Sequence, residues 1–344
     1  MSGSPPDPKA LMSEEDIIRL VQSLAGESKD ELWVGIGDDA AVLNLGGRGF
    51  CVTTDLLVEG VHFDLSYTGP HDLGWKAMAA NLSDLAAMGA RPRWGLFSLG
   101  LPPRPPRRLV ESILGGVMEM CRRHNLTLVG GDTVRSPQIV INLCLIGAVE
   151  TKSPALRSGA RPGDAVCVSG PLGSSAAGLA WLKSGGAADD GQAAWAVAAH
   201  LRPEPRVAAG RALAQSERVH AMMDLSDGLA SDLARLCAAS QVGARVEESL
   251  LPLAPQAAGL AAQLKADPIQ WALTGGEDFE LLVTCAPGNV ELLAELAADS
   301  QKGVSLRRVG EITRGRGVVL ARADGSEEEI TLQGFDHFRE EKSP

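Results

Sequence analysis

A long apolar stretch with one carboxylate inside it constrains this chain more than any other feature. The stretch starts near Asp72 and carries mainly alanine, leucine and methionine, which predicts a buried helix with Gly89 as its natural stop. Asp84 lies within it, where a carboxylate is costly unless it is paired or binds a metal. Asn81 shares its face and Lys76 lies two turns earlier, so Asp84 is either a structural group held by such partners or a metal ligand.

Composition excludes several classes of protein. The chain has 344 residues, enough for two domains, and its 45% hydrophobic and 22% charged residues are ordinary for a globular protein. A net charge of −11 without a lysine–arginine cluster argues against a nucleic-acid surface. No apolar run reaches the roughly 18 residues of a membrane span. Residues 1–11 are polar and rich in proline, so we expect a disordered tail rather than a signal peptide.

The six cysteines contain no Cys-x-x-Cys pair, and most lie in apolar segments. They are typical of buried thiols in a reducing compartment, which disfavours a zinc site or a disulfide framework. We therefore expect a cytoplasmic protein.

Residues 13–25 are predicted to form a first helix, with Ser13 as its N-cap and Asp16 three residues on, close to a capping box. Strands and helices alternate irregularly in the first half, which favours a mixed sheet and an α+β domain. The proline- and glycine-containing stretch from Thr151 to Gly163 is typical of a domain boundary. We predict a first domain over residues 12–150 and a second domain over 151–344, which begins with the strand Ala165–Val168.

Carboxylates recur where apolar strands give way to turns, often beside glycine. A single such aspartate is usually a turn former or a helix cap, but five such places in addition to Asp84 exceed what capping explains. Oxygen ligands of this kind suit magnesium, manganese or calcium. The residues concerned are Asp38, Asp39, Asp55, Asp132, Asp224 and Asp227.

Two glycine motifs are weaker signals. Gly35-x-Gly37-x-x-Ala40 nominally fits a dinucleotide fingerprint, but Asp38 and Asp39 would face the pyrophosphate, so we reject it. The segment Gly170–Gly178 precedes a helix but lacks the Gly-Lys-Ser/Thr of a P-loop. Its backbone N–H groups could bind a phosphate, although a plain glycine turn explains it equally well.

Seven motifs occur in order along the chain: Gly35–Val42, Thr53–Phe63, Asn81–Ala90, Gly130–Thr133, Asp224–Leu229, Gly275–Leu281 and Gly334–Phe338. Together they resemble one family. Over about residues 12–338, the chain is similar to thiamine-monophosphate kinases, of the PurM-like (aminoimidazole-ribonucleotide-synthetase) superfamily.

The resemblance implies ATP-dependent phosphorylation of thiamine monophosphate to thiamine diphosphate, in a two-domain PurM-like α+β fold. It implies an N-terminal mixed-sheet domain that dimerises and a C-terminal α/β domain. The implied magnesium ligands are Asp39, Thr53, Thr54, Asp55, Asp84, Asp132, Asp224 and Asp227, and Asp84, Asp132 and Asp227 are the implied catalytic groups. The implied nucleotide contacts are Gly131, Asp132, Arg157 and Ser226, and the implied thiamine contacts are His62, Glu277 and Phe335, where relatives often carry Trp or Tyr.

Phosphate chemistry then predicts the mechanism. A phosphate monoester has a second pKa of about 6, so the acceptor is largely a dianion near pH 7 and needs no general base. Transfer becomes a matter of positioning two anions and stabilising charge, which carboxylate-bound magnesium ions can do in an acidic protein. Two alternatives stay open: a sister PurM-like ATP-dependent synthetase acting on a ribonucleotide, and a non-catalytic nucleotide- or metal-binding regulator.

Overall fold

The computed structural model describes residues 12–25, 31–187, 191 and 193–330. The first half of the chain forms α1 (Glu14–Ala25), β1 (Leu32–Val34), β2 (Ala41–Leu45), β3 (Arg48–Val58), α2 (Pro70–Ala87), β4 (Arg91–Leu101), α3 (Arg107–Arg123), β5 (Thr127–Arg135) and β6 (Val140–Ala148). The second half forms β7 (Ala165–Val168), α4 (Ser174–Lys183), α5 (Ala194–Leu201), α6 (Val207–Gln215), β8 (Val219–Leu225), α7 (Leu229–Ser240), β9 (Gly243–Glu247), α8 (Ala257–Leu264), α9 (Pro268–Thr274), β10 (Glu280–Cys285), α10 (Val290–Ser300), β11 (Arg307–Thr313), β12 (Gly317–Ala321) and β13 (Glu327–Glu329), with short 3₁₀ helices at Glu248–Leu250 and Pro287–Asn289.

Each half is built on one mixed sheet. The first sheet has the order β1-β2-β3-β6-β4-β5 and is antiparallel except for the parallel pair β4–β5. The second has the order β13-β12-β9-β11-β7-β10-β8 and is antiparallel except for the parallel pair β9–β12. The prediction of a two-domain α+β fold with a mixed first sheet is confirmed.

Helix α2 lies at the centre of the molecule. Thirteen of its eighteen residues are buried, because it packs on the first sheet and α3 and also contacts α6 and β8 of the second half. Its apolar residues belong to a core that continues into β10 and α10. The helix ends as predicted: Gly89 has a φ of +64°, and a Cβ there would lie 2.3 Å from the Cβ of Ala214 on α6.

Two predictions about strands and caps have different outcomes. The expected cap of the first helix is confirmed, since the Oγ of Ser13 accepts the N–H of Asp16 at 3.2 Å and donates to its carboxylate at 2.7 Å. The expectation that strands end at Asp55 and near Asp132 is wrong. Pairing with β6 extends β3 to Val58, and pairing with β4 extends β5 to Arg135.

Two glycines let α2 and α3 approach closely. A Cβ on Gly116 would lie 2.0 Å from the backbone oxygen of His71, and one on Gly74 would lie 2.0 Å from that of Ile113. Backbone atoms at this distance cannot be relieved by a side-chain rotation, so both positions require glycine for helix packing.

We expect Gly116→Ala to lower the free energy of unfolding by about 2–3 kcal/mol, because overpacking forces α2 away from α3. Gly115→Ala is the matched control on the same helix. Its Cβ would meet only the movable His71 ring, at 3.2 Å, and alanine favours a helix by about 1 kcal/mol over glycine. Denaturant unfolding of both variants tests this, and equal stabilities would contradict it.

Candidate active site

Three carboxylates from distant parts of the chain meet at the junction of the two halves. Asp39 follows β1, Asp84 lies near the end of α2 and Asp224 lies on β8. Each offers one oxygen, and these oxygens all lie within 4.8 Å of one another. Asp39 and Asp224 are buried. The sequence identified all three residues as candidates, and α2 is the element that brings the two halves together around them.

Short hydrogen bonds orient this acid cluster, which is Asp39, Asp84 and Asp224. The hydroxyl of Thr53 on β3 donates to Asp84 Oδ2. The Oγ of Ser83 donates to Asp224 Oδ2 at 2.7 Å, a bond from α2 to the second half of the chain. Thus α2 presents both a carboxylate and the hydroxyl that holds its neighbour.

Burial and mutual repulsion make the cluster unfavourable as it stands. Burial raises the pKa of Asp84 well above its usual range, and the charges of Asp55, Asp224 and Asp39 raise it further. Burial also raises the pKa of Asp39, although the neighbouring Arg157 guanidinium opposes the shift. The pKa of Asp224 is raised by burial and lowered by its bond from Ser83. Carboxylates arranged in this way favour a bound cation.

The cluster fits a divalent cation that prefers oxygen ligands. Among the described residues, Asp39 Oδ2 is buried without a hydrogen-bond partner, so one carboxylate oxygen is left for a ligand. The other oxygen of Asp39 accepts from Arg157 Nε at 3.0 Å. Three converging carboxylates without a histidine or thiolate are the donor set that magnesium or manganese uses in proteins.

Asp55 and Asp227 flank the cluster. Burial and the charges of Asp224 and Asp227 raise the pKa of Asp55 to about 6, and its backbone N–H donates to Asn81 Oδ1 at 3.1 Å. Asp227 forms an ion pair with Arg235. The structure therefore brings Asp39, Thr53, Asp55, Asp84, Asp224 and Asp227 into one region.

Thr54 and Asp132 lie elsewhere. Thr54 alternates with Thr53 along β3 and turns to the opposite face of the first sheet, where its Oγ1 donates to the backbone oxygen of Leu143 at 2.9 Å. Asp132 is exposed on the edge strand β5 and lines a cavity of about 530 Å³ with Leu56 and Asn142. In the single chain, these two side chains are not brought to the acid cluster.

Gly131 is needed for strand packing. Its φ is +154°, and a Cβ there would lie 1.7 Å from the backbone oxygen of Phe97 on β4. The glycine is thus explained by the β4–β5 pair itself, whether or not a nucleotide approaches it.

A second group of predicted residues lies around Glu277. Its Oε2 accepts from Lys76 Nζ at 2.7 Å. Burial raises the pKa of Glu277, but neighbouring charges lower it below its usual value. Lys76 has the larger effect, and His62 is close enough to contribute as well. Phe335, the predicted aromatic contact, lies outside the described residues. Lys76 thus pairs with Glu277, so the interpretation that it holds Asp84 is wrong.

Ser226 connects the two groups. Its backbone oxygen accepts the N–H of Glu277 at 2.8 Å, and it directly precedes Asp227. The N–H groups of Ser226 and Asp227 both donate to the buried Asp232 at 3.0 Å. One turn therefore positions both Asp227, which flanks the acid cluster, and Glu277.

The proposed phosphate loop before α4 has another role. The N–H groups of Gly173 and Ser175 donate to the carboxylate of Asp278 at 2.6 and 3.0 Å. A protein carboxylate thus takes the place that a phosphate would have at this helix start. The plain glycine turn is the correct interpretation there.

Several groups that shape the site could not be predicted from the sequence. Ser83, Asp232 and Arg235 were not singled out, because their roles depend on partners that only the folded chain provides. Lys76 was noted, but its partner lies 201 residues away. A lysine in an otherwise apolar helix was the signal that a buried acid was needed.

Comparisons with known proteins agree with this architecture. The family profile of the AIR synthase related protein matches with its N-terminal domain over residues 37–149 and with its C-terminal domain over 161–322. A thiamine-monophosphate kinase from Bacillus subtilis (strain 168) is 37% identical over 95% of this chain and 100% of the relative. One from Escherichia coli (strain K12) is 39% identical over 90% of this chain and 94% of the relative.

Solved structures show the same relation. A structure described as AaThiL complexed with AMPPCP and TMP has a TM-score of 0.81 and 32% identity, covering 94% of this chain and 97% of its own. A thiamine-monophosphate kinase from Stenotrophomonas maltophilia has a TM-score of 0.74 and 36% identity, covering 90% and 95%. The Escherichia coli hydrogenase maturation protein HypE shares the fold with a TM-score of 0.69 at 22% identity, covering 83% of this chain and 87% of its own.

Among the described residues, no helix combines the length and apolarity needed to cross a bilayer. The family profiles cover most of the chain, and the relatives exceed 30% identity over nearly their whole length. The chain belongs to the thiamine-monophosphate kinase family of AIR-synthase-related proteins.

Proposed function

We propose that this chain transfers the terminal phosphoryl group of ATP to thiamine monophosphate and so forms thiamine diphosphate. One observation carries the proposal: in a chain of this family, the turn at Ser226 connects an oriented cluster of carboxylates to Glu277. The solved relative bound to AMPPCP and TMP supports this choice of donor and acceptor.

The chain's own residues supply positioning rather than a nucleophile. The acceptor phosphate has a second pKa of about 6, so it is already a nucleophilic dianion near neutral pH. We infer direct in-line transfer from donor to acceptor, without a phosphoenzyme. Asp39, Asp84 and Asp224 would hold magnesium, with Asp55, Asp227 and Thr53 beside them. Magnesium bound there would neutralise charge on the phosphate oxygens of both substrates.

Other assignments belong to the same proposal. Arg157 would leave Asp39 and turn to the nucleotide phosphates once a cation replaces its charge, and Ser226 would meet the nucleotide beside it. Gly131 and Asp132 are further nucleotide contacts implied by the family resemblance. Thr54 and Asp132 are also implied metal ligands, but in the single chain they lie away from the acid cluster. His62, Glu277 and Phe335 would bind the thiamine moiety, which carries a positive thiazolium ring.

A coupled ADP-release assay tests the function. We expect turnover with ATP, magnesium and thiamine monophosphate, and none with unphosphorylated thiamine or after removal of magnesium by a chelator. If ADP release did not depend on thiamine monophosphate but required a phosphorylated ribonucleotide, the result would support the sister synthetase instead. No turnover with any acceptor, together with ATP binding, would support the regulator.

We expect Asp84→Asn to abolish turnover while the protein stays folded, because the substitution removes a central cation ligand. In thermal unfolding, the wild type should gain stability on addition of magnesium, and the variant should lose most of this gain. Without magnesium, the variant should be at least as stable as the wild type, because a buried repelling charge is removed. Near wild-type turnover would make Asp84 a structural hydrogen-bond partner only.

We expect Glu277→Gln to raise the KM for thiamine monophosphate about tenfold and to change the KM for ATP by less than twofold. Loss of a charged partner in a partly desolvated site costs about 1.5–3 kcal/mol, and tenfold corresponds to about 1.4 kcal/mol. Phe335→Ala should raise the same KM several-fold, as expected for loss of a cation–π contact. Steady-state kinetics measure both, and equal changes for the two substrates would indicate a folding defect.

The outer face of the first sheet supports a homodimer. Leu56 is 51% exposed, Leu96 is 39% exposed and Val134 is 56% exposed, on the side of the sheet that α2 and α3 leave uncovered. An apolar face of this kind is typical of a protein–protein interface. We propose that two copies join through it, burying about 1,600 Å² or more.

Light scattering at micromolar concentration should give the mass of two chains. Leu96→Glu should shift the mass toward one chain, because it places a charge in the centre of the proposed interface. Leu292→Glu, at a residue that is 41% exposed on α10 in the second half, is the control and should leave the mass unchanged. A wild-type protein with the mass of one chain would rule out the dimer.

A further inference from the structure

Lys76 is a buried cation that the reaction described above does not use. Its side chain is 2% exposed, and it lies in the apolar helix α2. Burying an ammonium group is costly unless it is paired with a negative charge. Within the described part of the chain, its salt bridge is to Glu277, with 2.7 Å between Nζ and Oε2. The pair joins the first half of the molecule to the second.

His200 lies beside both members of the Lys76–Glu277 pair, and its Nδ1 is 3.5 Å from Glu277 Oε2. Both ring nitrogens of His200 lie 3.4 Å from Lys76 Nζ, and the Oγ of Ser175 lies 3.0 Å from His200 Nδ1. Burial and the charge of Lys76 lower the pKa of His200 to about 3, so the ring is neutral at physiological pH. A neutral ring does not compete for the carboxylate as a second cation would.

Glu277 is accessible on its other side. About 32% of its side chain is exposed, whereas the lysine behind it is not. Its backbone has a φ of +65°, a conformation that is uncommon for residues other than glycine. His62 and Tyr67 are within electrostatic reach. After the larger effects of burial and Lys76, the charge of His62 also acts on the pKa of Glu277, and after burial and the charge of Asp64, the charge of Glu277 raises the pKa of Tyr67. A ligand can therefore reach the exposed part of the Glu277 side chain without contacting the enclosed Lys76.

We propose that Lys76 is a positioning residue for the acceptor: it anchors Glu277 from behind, so that the exposed side of the carboxylate binds the positively charged part of the acceptor. This inference rests on the proposed function. Without the ammonium group, burial would raise the pKa of Glu277 and favour its neutral form, which binds a cation poorly. Lys76 itself does not touch the acceptor, because its side chain is enclosed.

Lys76→Met tests the inference, with Lys183→Met as the control at an exposed lysine on α4. We expect Lys76→Met to raise the KM for thiamine monophosphate at least tenfold at pH 7. The KM for ATP and the stability gained from magnesium should change by less than twofold. Lys183→Met should match the wild type in all three measurements. If the lysine were purely structural, its loss would instead raise the KM values for both substrates.

The pH dependence separates positioning from packing. The ratio of the KM for thiamine monophosphate in Lys76→Met to that in the wild type should fall as pH rises from about 5.5 to 8, because the unpaired Glu277 regains its charge. Titration of the acceptor phosphate, His62, Tyr67 and Asp278 affects both proteins and largely cancels in the ratio. Because loss of Lys76 also removes a charge that lowers the pKa of His200, both proteins carry His200→Gln in this comparison. A ratio that does not change with pH would contradict the inference.

The double variant Lys76→Met/Glu277→Gln shows whether Lys76 acts through Glu277. Relative to Glu277→Gln alone, the double variant should have the same KM for thiamine monophosphate within twofold and a higher melting temperature, because it has no unpaired buried charge. If Lys76→Met alone does not fold, this comparison decides. The inference would be overturned if the KM change in the double variant were the product of the two single-variant changes. An unaltered KM in Lys76→Met would also overturn it. A wild type that does not phosphorylate thiamine monophosphate would overturn both this inference and the proposed function.

Discussion

Repulsion among buried carboxylates is the constraint on which the rest of the structure depends. Asp39, Asp84 and Asp224 approach within 4.8 Å, and their pKa values are raised because each is desolvated and lies near other carboxylates. Packing of a hydrophobic core does not require three carboxylates to lie together in this way. It is stable only if the surrounding structure holds it, and it becomes favourable when a cation is bound.

Helix α2 provides that support because it packs against the first sheet, α3, α6 and β8. The glycine contacts with α3 fix its distance from that helix, and Gly89 ends it against α6. Along its length it directs Lys76 to Glu277, Ser83 to Asp224 and Asp84 to the cluster. A single rigid element thus sets the separation between the groups proposed to bind the phosphates and those proposed to bind the thiamine moiety.

Local patterns in the sequence predicted the elements that depend on near neighbours. The apolar run around Asp84 predicted a buried helix, Gly89 predicted its end and Ser13 with Asp16 predicted a cap, because each of these depends on residues within a few turns. Pairing between strands could not be predicted in this way. The continuations of β3 and β5 past Asp55 and Asp132 depend on hydrogen bonds to β6 and β4, and these partners are far along the chain.

The same reason separates the site residues that were found from those that were missed. An aspartate in an apolar segment is conspicuous by itself, so Asp84 and Asp224 were identified from the sequence. The partner of Lys76 could not be identified, because nearby acids such as Asp84 were equally plausible until the fold joined residues 201 positions apart. Thr54 shows the converse, since its neighbours Thr53 and Asp55 face the cluster and strand alternation turns it away.

Anomalous scattering from crystals grown with Mn²⁺, a non-hydrolysable ATP analogue and thiamine monophosphate tests the central claim most directly. The account predicts an anomalous peak between the carboxylates of Asp39, Asp84 and Asp224, with the Arg157 guanidinium released from Asp39. Peaks only at other sites, with Arg157 still bound to Asp39 while both substrates are present, would contradict it.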